Sequence, residues 1–308
     1  MGDQATTGVV FALIAVAYLG PGRVDALGRF RETQRSLLVV GFLIAVFGNG
    51  LLVWATEAEK TMYGPPTWAV TLPVACSLVV VAAAVTVRNP SSPPQRMTAP
   101  VSPGPRELIG VPAVCAVYAV LALAKVLDTG RRNRDAFGYA PTLPPAVTDR
   151  YANEPLPRYE TYLSDRWVIA AAIAVVVLTL ATIAAGQAIV RDDDPDRPGV
   201  AQHVARLGAG AALIAGTGTA LWASRAVSRI GTENREHYDQ AQRLLIEAGV
   251  SNAGLESPRD LQGAASALET VGNLPNLIGW TLMFLVLGRV FVTNGIRDRR
   301  GEVSSPVR

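Results

Sequence analysis

Two short motifs set a polar side chain between two glycines inside otherwise apolar runs: Gly48-Asn49-Gly50 and Gly216-Thr217-Gly218. In hydrocarbon such a side chain must find a hydrogen-bonding partner or face a hydrated cavity. The chemistry open to Asn49 and Thr217 is therefore interhelical bonding or contact with a permeating solute. The flanking glycines remove side-chain bulk and let a neighbouring backbone approach, which makes helix packing the default meaning of the spacing. Gly208, Ala212 and Gly216 extend a stripe of small residues along the second of these segments.

Ionisable chemistry is scarce. Lys125 and Arg289 lie close enough to the ends of their segments to snorkel, and no Asp or Glu falls in the core of any span. This disfavours coupling to a proton or sodium gradient. His203 and His237 belong to opposite sides of the membrane in the topology derived below, so they cannot share a haem or a metal ion. No HExxH helix, CxxC pair, P-loop or dinucleotide-binding glycine fingerprint occurs, and no catalytic residue, cofactor or metal site is assigned. Asp192, Asp193, Asp194 and Asp196 lack the glycine and distal glutamate of a calcium loop, and Pro195 and Pro198 mark them as a solvated turn. Cys76 and Cys115 fall in apolar segments, where a thiol behaves as a small hydrophobe.

These residues are carried by seven apolar stretches, at 4–22, 36–55, 67–87, 108–127, 167–190, 207–224 and 274–293. A spanning helix needs about 20 residues. Only 17% of the 308 residues are charged, against roughly 25% in a soluble domain, and the net charge of +3 implies no nucleic-acid partner. The expected fold is an all-α polytopic membrane bundle of about seven transmembrane helices, a single domain over residues 1–308 whose first partner is the lipid bilayer. Seven spans with an external amino terminus resemble the layout of microbial rhodopsins. The seventh stretch has no lysine for a retinal Schiff base, which excludes that family.

Orientation follows from the short loops, because basic residues near span ends stay cytoplasmic. Arg23, Arg29, Arg31 and Arg35 precede the second span, Arg88, Arg96 and Arg106 the fourth, Arg191, Arg197 and Arg206 the sixth, and Arg297, Arg299, Arg300 and Arg308 follow the seventh. With seven crossings the amino terminus is outside and the carboxyl terminus cytoplasmic. Without the first span both termini are cytoplasmic and the other six keep their orientation. Trp54, Trp68, Trp167, Trp222 and Trp280 fall at or near the ends assigned to the outside and read as interface anchors. Arginine almost to the exclusion of lysine suggests a prokaryotic source, hence a prokaryotic cell membrane.

Two long insertions, 128–166 and 225–273, are expected to form an extracytoplasmic cap. The first is rich in Pro and Tyr. The second reads as a helical hairpin: Thr232 caps one helix, Gly249 ends it, Ser257-Pro258 begins another, and Gly272 ends that. The segments 48–55 and 216–223 also share the pattern Gly-x-Gly-x-x-x-Trp-Ala, which suggests a parallel 3+1+3 repeat of the kind found in transporters.

The leading expectation is a non-catalytic facilitator or permease with any pathway near Gly48, Asn49, Gly50, Gly216, Thr217 and Gly218. The alternative is an assembly, scaffold or sensory component whose outer hairpin binds a partner protein. An interfacial lipid enzyme ranks third. In a chain lacking Cys76 and Cys115, Pro93→Cys should resist a membrane-impermeant thiol reagent in intact cells while Ser251→Cys reacts. The opposite pattern would invert the topology.

Overall fold

A computed structural model describes residues 31–56, 67–88, 106–145, 147–148, 165–190, 197–251 and 255–303. Among them every regular element is a helix, and six helices are long and apolar enough to cross a membrane. The protein is an all-α helical membrane bundle. Its helices are α1 (Arg31–Thr56), α2 (Trp68–Arg88), α3 (Val111–Arg132), the single turn α4 (Arg134–Phe137), α5 (Asp165–Val190), α6 (Arg197–Glu247) and α7 (Gln262–Val303), with a π-helical turn, Arg106–Gly110, before α3. All but α4 carry the second to seventh apolar stretches. The first stretch, the proline-rich segment 89–105, the acidic turn at 191–196 and the later part of the Tyr-rich insertion, 149–164, lie outside the described residues.

Lipid offers the backbone no hydrogen bonds, so each run must satisfy its own amides by coiling into a helix. Nor does lipid press one apolar helix against another, so association depends on close packing. That requirement selects α6 as the axis: 89% of its most apolar window is buried, against 6% for α1. Helices α2, α3, α5 and α7 surround α6, while α1 lies outside them against α2 and the edge of α7. Phe42 and Phe47 on α1 are 68% and 71% exposed, apolar surface suited to lipid.

The approach is close because α6 is built from Gly and Ala where it is crossed. A methyl group on Gly216 would stand 2.5 Å from the Ala119 carbonyl oxygen of α3, and one on Gly210 would stand 2.8 Å from the Gly279 carbonyl oxygen of α7. Gly208 receives the side chain of Thr182 from α5. These contacts also set the directions. Gly41 meets Val79, Thr182 meets Gly208 and Gly210 meets Gly279 as antiparallel neighbours, whereas Ala119 and Ala136 of the α3 arm run parallel to Gly216 and Asn234 of α6. One end of the bundle therefore gathers Arg35, Arg88, Arg106 and Arg206, and the other carries the hairpin.

The hairpin departs from the sequence expectation in construction. Thr232 does not cap a new helix; it lies inside α6 and its hydroxyl donates to the Ser228 carbonyl at 3.2 Å. With no proline between 198 and 247, nothing interrupts the ladder. Gly249 does supply the stop, at φ +68°, and the Val250 amide reaches back to the Leu245 carbonyl at 2.9 Å. The return helix starts at Gln262, capped by the Asp260 carboxylate at 3.1 Å, rather than after Ser257. Gly272 does not end it. The missing side chain instead lets α7 sit against Leu221 and the Thr217 carbonyl, and the helix continues into the seventh span. The Tyr-rich insertion likewise begins later than expected, because α3 runs on to Arg132.

The two similar segments have different surroundings. A methyl at Gly50 would meet nothing within 4 Å, whereas Gly216 and Gly218 are crowded, and α1 ends at Thr56 whereas α6 runs on to Glu247. Gly216→Ala should accordingly lower stability by about 1–3 kcal/mol, whereas Gly50→Ala should leave it unchanged or slightly raised; thermal unfolding in detergent compares the two.

Candidate functional site

The candidate polar residues do not meet. Asn49, near the last turns of α1, accepts a hydrogen bond from the Thr67 hydroxyl at 2.7 Å, which ties α1 to the start of α2. Thr217 is fully buried in α6; its hydroxyl donates to the Leu213 carbonyl at 2.6 Å and stands 3.4 Å from Oδ1 of Asn276 on α7. Gly48 and Gly50 are loosely surrounded. Gly218 faces the Trp68 ring, whose Cη2 would lie 2.5 Å from an added methyl, and Oδ1 of Asn276, which would lie 3.4 Å away. The structure thus joins Gly216, Thr217 and Gly218 to Trp68, Ala119 and Asn276 and leaves Asn49 with Thr67.

The focus of this polar seam is a residue outside the motifs, Pro275. Proline has no amide hydrogen, so inside α7 it deprives the carbonyl four residues back, that of Val271, of its helical donor. The Tyr118 hydroxyl of α3 donates to that carbonyl at 3.1 Å. Asn276, next in the chain and 1% exposed, turns towards Thr217. The sequence signal was Asn273-Leu274-Pro275-Asn276 at the head of the seventh stretch: a helix breaker flanked by amides where the apolar run begins.

Directly beyond the seam α6 and α7 enclose a polar groove of about 410 Å³. Its walls carry Ser224, Arg225 and Ser228 from α6 and Gln262, Ser266 and Glu269 from α7. The helices are stapled beside it by the Ser224 hydroxyl, which donates to the Ala265 carbonyl at 2.7 Å. Farther out Arg235 pairs with Asp260 at 2.9 Å, and the first insertion braces the hairpin through Asn234 to the Ala136 carbonyl at 2.7 Å and Tyr139 to the Glu256 carbonyl at 2.8 Å.

Towards the arginine end, His203 lines a small apolar crevice of about 30 Å³ with Leu38, Val80, Val204 and Val286. His237 lies 34 residues on along the same helix, about 50 Å at 1.5 Å per residue, which keeps the two histidines apart. Among the described residues no group of His, Cys, Asp and Glu is arranged to hold a metal ion. Lys125 pairs with Asp128 at 3.9 Å; the side chain of Arg289 lies outside the description. Trp54, Trp68, Trp167 and Trp222 stand towards the hairpin end. Trp280, one residue past the Gly210–Gly279 crossing, sits about 18 Å deeper than Trp222 and stacks on Phe284 with ring centres 5.6 Å apart.

Set against protein-family models, curated proteins and solved structures, the chain matches none.

Tyr118→Phe should cost about 1 kcal/mol of stability by stranding the Val271 carbonyl. In a Pro275→Ala background, where the helical donor is restored, the same change should cost nothing. A double-mutant thermal unfolding cycle reads this coupling, and equal costs in both backgrounds would refute the assignment.

Proposed function

We propose that the protein is a non-catalytic assembly component of a prokaryotic cell membrane, which holds the α6–α7 hairpin outside the cell for a partner protein. The observation that carries this reading is the continuity of α6 and α7. Each is a single helix from the spanning region into the hairpin, α6 with an uninterrupted ladder and α7 lacking one helical bond at Pro275 that the Tyr118 hydroxyl replaces, so the hairpin is an extension of the bundle rather than a loop on flexible joints. From Ser224 to Ile246 it projects about 33 Å along α6. Its own core contains Ala241, Leu245, Leu261, Ala265 and Leu268, all buried. Holding a surface in one orientation lowers the ordering cost that a partner would otherwise have to overcome.

The cytoplasmic placement of the arginine-rich loops supports the external placement of the hairpin. A passive facilitator, the other reading of the sequence, draws less support from the geometry. Its pathway residues are engaged within the bundle, Asn49 by Thr67 and Thr217 by the Leu213 carbonyl, and α1 packs on α2 and α7 rather than facing α6 across a gap.

Ile246 is 65% exposed near the hairpin tip, beside the buried Leu245. A photo-crosslinking residue at 246 should capture one protein in native membranes, and the capture should vanish when Asp239 and Arg243 on the same turns are reversed in charge, with the thermal unfolding of the bundle unchanged. Capture of lipid alone, or of the same mixture with and without the reversals, would refute the partner reading. Loss of solute flux in Asn49→Leu, with the fold intact, would favour the facilitator instead.

A further inference from the structure

We propose that the groove between α6 and α7 binds the zwitterionic headgroup of a phospholipid, with its phosphate at Arg225 and its amine at Glu269. The inference does not depend on the partner reading, because it concerns the side of the hairpin nearest the bilayer rather than its tip.

Three observations converge on this site. The first is unspent hydrogen-bonding capacity. Among the described residues the side chains of Arg225, Ser228, Gln262 and Ser266 make no hydrogen bond or ion pair, although all four line the same groove. Arg229, one turn farther along, is instead committed to Glu233 at 3.2 Å, so Arg225 is the cation with charge to offer. Guanidinium matches phosphate in geometry and charge, and the hydroxyl of Ser228 and the amide of Gln262 can donate to the remaining phosphate oxygens.

The second is the charge of the opposite wall. Glu269 on α7 faces the same space. A lone anion would be drawn to Arg225 and repelled by Glu269, whereas a phosphate joined by a short linker to a primary ammonium satisfies both walls at once. The groove's volume of about 410 Å³ falls in the ordinary range for small-molecule sites.

The third is depth. The groove floor is formed by Leu221 and Asn273. On the same face of α7 the residues that follow towards the spanning region, Leu277 and Trp280, are apolar and half-buried, and the Trp68 ring packs on Gly218, one turn below Leu221 on α6. The surface thus changes from polar to apolar at the groove floor, as it does along a lipid from headgroup to acyl chain. A soluble phosphocompound would use the upper part alone; a lipid uses both.

Delipidated full-length protein in detergent, offered phosphatidylethanolamine and phosphatidylglycerol in equal amounts, tests the proposal by native mass spectrometry. Wild type should retain the ethanolamine lipid over the glycerol lipid by about tenfold, the discrimination expected of one charge-assisted contact. Arg225→Gln should lose about tenfold in retention of the ethanolamine lipid, Ser228→Ala should lose a smaller part of it, and Glu269→Gln should abolish the preference between the two lipids. Arg225 and Glu269 are exposed and outside the buried core, and unchanged melting of the three variants verifies that the fold is kept. Equal retention in wild type and Arg225→Gln would overturn the proposal. So would displacement of the lipid by free phosphoethanolamine or inorganic phosphate at equal concentration, which would make the site one for a soluble phosphate.

Discussion

Close approach to the backbone of α6 is the constraint on which the rest of the molecule depends. Water drives apolar surfaces together in a soluble protein, but lipid tails are as apolar as the side chains they would replace. What remains is dispersion between surfaces brought near enough to touch over their whole length, together with the few hydrogen bonds that cross between helices. Gly208, Gly210 and Gly216 on the axis, and Gly279 opposite, remove the side chains that would hold the backbones apart. A bundle centred this way has little interior volume left, and the crevice beside His203 is correspondingly small.

The same constraint explains where polarity gathers. Packed on small residues, α6 and α7 remain together until Pro275 breaks the ladder of α7, and there the orphaned carbonyl, Asn276, Thr217 and Tyr118 form the polar seam. Past the seam the residues lining the gap are no longer glycines but Arg225, Ser228, Ser266 and Glu269, and the groove opens. The groove is thus the continuation of a helix pair whose contact residues change from small to polar. Beyond it Leu245, Leu261 and Leu268 restore an apolar contact.

The helices themselves were legible because their signal is local. Charge-free runs of about 20 residues have one structural solution in a bilayer, and the second to seventh runs are the helices α1, α2, α3, α5, α6 and α7. The hairpin's boundaries were less legible because caps and stops are weak local preferences that packing overrides. Thr232 looked like a cap and Gly272 like a stop, yet Gly272 is a contact residue against Leu221, and only the neighbour reveals that. The polar motifs were found, but not their partners: Thr67 is 18 residues from Asn49 and Asn276 is 59 residues from Thr217, and no periodicity connects them. The groove was invisible because its walls come from two helices and its residues, read singly, look like an ordinary solvated face.

The continuity of α6 is the claim from which the rigid hairpin and its groove follow. Spin labels at Arg206 and Asp239 lie 33 residues apart on that helix, and double electron–electron resonance in lipid nanodiscs measures their separation. A single narrow distribution near about 50 Å is expected for an unbroken helix. A broad distribution, or a peak well below that distance, would mean a break near Thr232 and would contradict the continuity of α6.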